Sequence, residues 1–402
     1  MRKYFQCLIM LSISFFATAS IADLDLQLTR GVIAAIPIAV VPFSADLSQV
    51  PGNTSVAAVI SNDLSHTGQF RVVNANNPQA VADAQQNTQY WQQQKVNFVV
   101  QGQIHPLSGG QFRVDFQLVN VLAPQSSIKS VDNSVSTSTQ ATADAGSEST
   151  SRPLSRVLLS SSLTTSSAGL RLLSHRISDM LYQQLTGIKG VFCTRIAYVL
   201  VQHPLNQPVI YTLRVADQDG FNDQALLRSY QPIMSPAWSP DGKSIAYVSF
   251  ENQNAAIYIQ DVASGRRKLV SQYPGVNGAP SFSPDGSKLA LVLTRTGNPK
   301  IYVLDLSSGA LTQVTHGYSI DTEPAFSPDG QSLLFTSSRG GTPQVYRYYL
   351  ATKQIARVTF SGNYNARATF LPGEQGIVMM HRGTGLFGIA KQNLVSSQLQ
   401  VL

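Results

Sequence analysis

An all-β propeller preceded by a small α/β domain is the fold class these 402 residues predict. One short motif recurs in the C-terminal half of the chain. Its copies are Trp238-Ser239-Pro240-Asp241-Gly242, Phe282-Ser283-Pro284-Asp285-Gly286, Phe326-Ser327-Pro328-Asp329-Gly330 and a worn fourth, Phe370-Leu371-Pro372-Gly373. The aromatics at 238, 282, 326 and 370 stand 44 residues apart, the period that a propeller blade leaves in sequence. The third observation is that each copy is bounded by strands, and a single sheet of this kind cannot bury both faces unless neighbours stack around an axis.

Each repeat reads as strand, turn, strand, loop, strand. Ser-Pro-Asp-Gly forms a type I turn, with Pro presetting φ at the second position and Asp at the third. The apolar runs Ile245–Val248, Leu289–Val292 and Leu333–Thr336 follow it and suit strands buried on both faces. Next come Ile257–Ile259, Ile301–Val303 and Gln344–Tyr346, and a Gly-containing turn such as Asp305–Gly309 leads to an outer strand such as Leu311–Thr315. Upstream, Arg195–Val199 and Tyr211–Val215 read as the second and third strands of an atypical first blade without the turn motif. About five blades are visible over 190–402.

The N-terminal half divides by composition. Residues 1–22 read as a secretory signal peptide: Arg2 and Lys3, an apolar stretch from Tyr4 to Ala17, and the small residues Ser20 and Ala22 at a cleavage site. No later segment is long and apolar enough to span a membrane. Residues 23–124 read as an α/β domain with a strand at Pro37–Phe43, a helix at Asn53–His66, and a short strand at Phe70–Val73. A polar helix at Pro78–Gln94 and a hairpin of Asn97–Gly102 with Gln111–Phe116 around Gly109-Gly110 complete it. Residues 125–152 are Ser/Thr-rich with few large apolar side chains, the composition of a disordered insertion. Residues 153–189 supply the rest of this domain and a linking helix at about Ser166–Thr186, whose apolar face runs from Leu170 through Leu173, Ile177 and Leu181 to Leu185.

Charge and chemistry exclude more than they suggest. Without Arg2 and Lys3 the chain carries 27 basic against 22 acidic residues, about +5, scattered rather than clustered, so nothing here marks a nucleic-acid partner. Signal removal leaves one cysteine, Cys193, read as a small apolar residue in the first blade strand. His66, His105, His175, His203, His316 and His381 lack any metal-ligand spacing, and no cofactor or metal is expected. A peptidase-associated propeller would need an α/β-hydrolase domain with a Gly-x-Ser-x-Gly elbow, and neither is present in the sequence.

Four stretches resemble the TolB family of periplasmic Tol–Pal propeller proteins: Leu185–Tyr198, Met234–Gly242, Asn277–Gly286 and Ile389–Gln392. The resemblance implies a non-catalytic adaptor with a six-bladed propeller, about one blade more than is visible here. Either the sequence is short by a blade or five blades close. The resemblance also implies two partners and a role in outer-membrane invagination during cell division and in outer-membrane integrity. The lipoprotein Pal would bind the loops preceding each aromatic turn: Met234, Ser235 and Pro236; Val276, Asn277, Gly278 and Ala279; Asp321, Thr322 and Glu323. The family pattern has His at the position of Val276, which leaves affinity there open. The Pro residues in these loops also set strand entry, a reading compatible with binding. TolA would bind the alternating segment Asp23-Leu24-Asp25-Leu26-Gln27-Leu28-Thr29-Arg30-Gly31, which can add to a sheet edge or serve its own domain as an edge strand. Other outer-membrane proteins are further candidate partners. The competing reading is a propeller that binds a small ligand or glycan.

Overall fold

The computed structural model describes residues 35–45, 55–74, 87–123, 156–373 and 375–402. The expected signal peptide, the segment 23–31 and the insertion 125–152 lie outside the described residues. The chain divides into two compact units, Met1–Ile188 and Lys189–Leu402.

The first unit is built from β1 (Ile36–Val40), β2 (Ser44–Ala45), α1 (Val56–His66), β3 (Phe70–Asn74), α2 (Thr88–Gln93), β4 (Phe98–Leu107), β5 (Gln111–Asn120), β6 (Val157–Ser166) and α3 (Leu170–Thr186). Its sheet runs β3-β1-β4-β5-β6, with β2 also on β4. β1 is parallel to β3 and β4, and the rest of the path is antiparallel. Alternation sorts the side chains to two cores. Ile38, Val40, Val100, Val114 and Leu118 meet Ile60 and Leu64 of α1 and Leu170, Leu173, Ile177 and Leu181 of α3. Ala39, Val99 and Val119 face the other way, onto Trp91 of α2. Ser55 caps α1 by accepting from the Ala58 N–H at 3.2 Å, and the buried pair Asp63–His175, at 2.8 Å, ties α1 to α3. Sequence patterning missed β6, whose Ser160-Ser161-Ser162 centre has little apolar content. Its strand conformation comes from pairing with β5 along nearly its whole length.

The second unit is the propeller. Its first sheet has three strands, β7 (Arg195–Gln202), β8 (Ile210–Asp217) and β9 (Gln224–Ser229). Four four-stranded sheets follow. They are β10 (Ile233–Trp238), β11 (Ser244–Ser249), β12 (Ala256–Asp261) and β13 (Arg267–Ser271); then β14 (Asn277–Phe282), β15 (Lys288–Leu293), β16 (Lys300–Asp305) and β17 (Leu311–Gln313). β18 (Asp321–Phe326), β19 (Ser332–Ser337), β20 (Gln344–Tyr349) and β21 (Ile355–Arg357) come next, then β22 (Tyr364–Phe370), β23 (Gly376–Arg382), β24 (Gly388–Asn393) and β25 (Leu399–Val401). Every sheet pairs its strands in chain order, and each first strand packs on the first strand of the next sheet: β10 on β14, β14 on β18, β18 on β22. β10 packs against β7 and β8 as β14 packs against β10, β11 and β12. The first sheet therefore holds the second to fourth places of a blade, the second and third as the sequence suggested, and has no strand at the inner place among the described residues.

Strands buried on both faces explain the short apolar runs. Leu289, Leu291 and Leu293 point back to Ala246, Val248 and Ile257 of the preceding blade. Ala290 and Val292 point forward to Leu333, Phe335 and Tyr346 of the following one. The next pair repeats this, with Leu334 and Val345 against Ile377, Met379 and Ala390. Cys193 departs from expectation: it sits exposed in the turn before β7 and not in a strand.

The Ser-Pro-Asp-Gly turns are alike at the atomic level. In the second, Gly286 N–H donates to the Ser283 carbonyl at 2.9 Å, the Ser283 hydroxyl donates to Asp285, and Lys288 N–H donates to the Ser283 hydroxyl at 2.9 Å. Gly286 has φ of 72°, a left-handed conformation that favours glycine. A side chain there would also stand 3.4 Å from Pro240 of the previous blade's turn. Donation from the Ser283 hydroxyl, then from the Ser287 hydroxyl and N–H, holds the Asp285 carboxyl at about 2, down from 3.8. A depressed carboxylate contributes stability above its unfolded value and loses it as pH falls through the folded value. Acid titration of the fold between pH ~4 and ~2 should therefore show a component that is absent in Asp285→Asn; an unchanged titration would refute the assignment.

Candidate partner-binding face

The residues expected to bind Pal are not in loops. Apart from Val276, which immediately precedes β14, they lie in the inner strands β10, β14 and β18, each of which bulges between a paired residue and a Pro-containing step: Met234/Ala237, Gly278/Ser281 and Thr322/Ala325. The sequence suggested loops because Pro236, Pro280 and Pro324 break a ladder. Proline is nevertheless accommodated at a bulge, where no ladder hydrogen bond is needed. Strand β22 bulges at the same place, between Ala366 and Thr369, without any proline.

At each bulge one non-glycine residue adopts a left-handed backbone: Ser235 (φ 52°), Ala279 (46°), Glu323 (55°) and Arg367 (53°). They are 44 residues apart, so the repeat reproduces a local distortion as faithfully as it reproduces its turns. Such conformations cost about 1–3 kcal/mol each and persist only where the surroundings impose them. All four residues line one cavity of about 540 Å3, together with Pro236, Val276, Gly278 and Thr322. A second cavity, of about 270 Å3, is lined by Met234, Ser235, Val276, Asn277 and Gly278. The fold thus gathers the predicted residues around two adjoining hollows, Asp321 excepted.

Polar contacts organise this surface. Glu323 accepts from the Arg367 N–H at 2.9 Å and from the Thr336 hydroxyl at 2.8 Å, linking the inner strands of two blades. Val276 N–H donates to the Thr294 hydroxyl at 2.8 Å, and one repeat later Ile320 N–H donates to the Ser338 hydroxyl at 2.9 Å. Two of the predicted contact residues, Asn277 and Asp321, are fully enclosed. Asn277 accepts from the Ser271 hydroxyl at 2.6 Å and the Tyr273 N–H at 2.9 Å, pinning the segment that enters the blade. Asp321 accepts from the Ser337 hydroxyl at 2.6 Å, from Arg339 at 3.1 Å and from Lys300 at 3.2 Å. Burial alone would raise the Asp321 carboxyl. The Ser337 and Arg339 bonds outweigh it, and the net displacement is downward.

Sequence reading missed Arg367, Ala368 and Thr369 of the fourth inner strand, which line the larger cavity. Counting 44 residues on from Glu323 would have found Arg367. The segment 23–31, the other candidate site, lies outside the described residues. Among the described residues no helix is long and apolar enough to cross a membrane.

Comparison with known proteins agrees with this architecture. The family model described as the TolB beta propeller domain matches residues 182–402, and that described as the TolB amino-terminal domain matches residues 24–127. The Tol-Pal system protein TolB of Coxiella burnetii is 51% identical over 274 residues, 67% of this chain and 56% of that protein. Its counterpart in Xanthomonas campestris pv. campestris is 41% identical over 281 residues, 69% of this chain and again 56% of the relative. The match thus spans little more than half the length of these curated relatives. The crystal structure of TolB from Acinetobacter baumannii superposes with a TM-score of 0.76 at 36% identity, covering 92% of this chain and 82% of that one. With a propeller match over more than half of its length and an amino-terminal match ahead of it, the chain belongs to the TolB family.

Proposed function

We propose that this protein is a non-catalytic periplasmic adaptor of the Tol–Pal system, and that it holds Pal on the face formed by its bulged inner strands. The observation that carries the reading is the recurrence of Ser235, Ala279, Glu323 and Arg367 in one strained conformation around one cavity. Strain kept at four equivalent positions and facing a hollow supports a surface shaped for a ligand. Membership in the family supplies Pal as that ligand. The contacts are Met234, Ser235, Pro236, Val276, Gly278, Ala279, Thr322 and Glu323, with Arg367 added and with Asn277 and Asp321 as supports.

The second partner in this reading is TolA, bound through Asp23–Gly31 by strand addition. If that segment docks on its own domain when Pal is absent, Pal binding would shift the fraction available to TolA. Hydrogen exchange at residues 23–31 that ignores Pal would remove this switch.

Calorimetric titration with the soluble domain of Pal tests the docking face. Thr322 lines the larger cavity, and Thr322→Ile places a bulkier apolar branch there. The variant should weaken binding about tenfold, or ~1.4 kcal/mol, without altering circular dichroism. Wild-type affinity in Thr322→Ile and in Ala279→Val together would end the assignment.

A further inference from the structure

The face carrying the inner-strand cavity is also where the loops between second and third strands emerge, and its charge is one-sided. Its carboxylates are Glu251, Asp321 and Glu323, and each is engaged. Glu251 pairs with Arg267 at 2.7 Å, Asp321 with Lys300 and Arg339, and Glu323 lies 3.6 Å from Arg367. Three further guanidiniums have no carboxylate partner among the described residues. Arg295 lies over Tyr273 at 4.4 Å, Arg357 over Phe360 at 5.0 Å and Arg382 over Phe387 at 4.8 Å.

These rings hold the guanidiniums by cation–π attraction, which positions the charge without neutralising it. One such pair falls in each of the third, fourth and fifth blades. Large apolar side chains stand exposed among them: Tyr318 at 96%, Phe360 at 69% and Leu386 at 94%. The opposite face mixes both signs, with Lys243 and Lys288 beside its turns. The turn carboxylates Asp241, Asp285 and Asp329 lie there, each displaced downward by hydroxyl and amide donors.

We propose that the basic, aromatic face selects an acidic protein surface bearing apolar side chains. Arginine over aromatic rings beside a surface hollow is the composition of a protein-binding centre, and complementary charge sets both partner choice and association rate. A bilayer of anionic lipid offers the charge, but no projecting side chain to enter a cavity of about 540 Å3. The inference rests on the docking reading above and adds the chemistry of the occupant.

The test measures Kd for the soluble domain of Pal against the triple variants Arg295→Glu/Arg357→Glu/Arg382→Glu and Arg295→Gln/Arg357→Gln/Arg382→Gln. The first should weaken binding about 30-fold or more and the second about fivefold, and raising salt from ~0.05 to ~0.3 M should weaken the wild type several-fold. The glutamine set keeps the side-chain stems, so it stays informative should the glutamate set fold poorly. Lys243→Glu/Lys288→Glu, beside the opposite turns, should stay within about twofold. If both arginine triples bind as wild type while Ala279→Val does not bind, the docking face stands and the acidic occupant is wrong. If Ala279→Val and Thr322→Ile also bind normally, the docking face itself is wrong. Sedimentation with phosphatidylglycerol vesicles that depends on the three arginines would overturn the proposal in favour of a membrane.

Discussion

Asp321→Ala is expected to cost about 3–5 kcal/mol of unfolding free energy, because it leaves a charge buried without its counter-ion. Lys300 and Asp321 have side chains 2% and 0% exposed. The pair joins the third strand of one blade to the first strand of the next, and Lys300 also donates to the Ser319 carbonyl. Removing the carboxylate strands the ammonium and takes an acceptor from Ser337 and Arg339. One repeat on, the same two places hold a neutral pair: Asn365 donates to Gln344 at 2.9 Å. An uncharged solution is thus already compatible with the blade geometry. Lys300→Gln/Asp321→Asn should accordingly recover at least half of the loss seen in Asp321→Ala, as removing both charges of a buried pair is far less costly than removing one. Because the Asp321 carboxyl is displaced downward, its contribution is complete above the ordinary carboxylate value and fades as pH falls through the folded one. The double variant should lack that acid-sensitive component. Denaturant titrations at pH 7 and at pH ~3 measure both effects. A loss below about 1 kcal/mol in Asp321→Ala would show that the pair does not hold the blades together.

Ala279→Val should abolish most Pal binding, raising Kd by about 100-fold or more, equivalent to ~2.7 kcal/mol. Ala279 combines φ of 46° with a place in the lining of the larger cavity. A β-branched side chain is poorly tolerated in the left-handed region. Valine would push the bulge toward an ordinary strand and displace the surface that Pro280 and Glu323 share. Added bulk would also narrow the hollow. Ala279→Gly serves as the counter-test: glycine accepts this backbone freely, so binding should stay within about threefold of wild type. Equal loss in both variants would point to side-chain contact at Ala279 instead of backbone shape.

Much of the fold was legible because its signals are local. A Ser-Pro-Asp-Gly turn needs only its own residues and two hydrogen bonds, so Trp238, Phe282 and Phe326 announced three equivalent blades, and the spacing added Phe370. The inner strands were harder to read. Pro236, Pro280 and Pro324 have the local chemistry of loops, and only tertiary pairing with β11, β15 and β19 turns those segments into bulged strands. Strand β6 was invisible for a related reason: three successive serines carry no period, and β5 alone dictates their conformation. At the candidate site, Ala279, Thr322 and Glu323 followed from repeat position, whereas the enclosure of Asn277 and Asp321 did not. Burial of a polar side chain depends on partners such as Ser271 and Lys300, which are distant in pattern if close in number. The pairing of Arg295 with Tyr273 arises only once two separate loops are folded together.

Hydrogen–deuterium exchange of the full chain with and without the soluble domain of Pal tests the docking face most directly. Slowed exchange in 233–238, 272–282, 316–326 and 360–369, with the turns at 239–243, 283–287 and 327–331 unchanged, is the predicted result. Protection confined to those turns, or to the first unit alone, would contradict it.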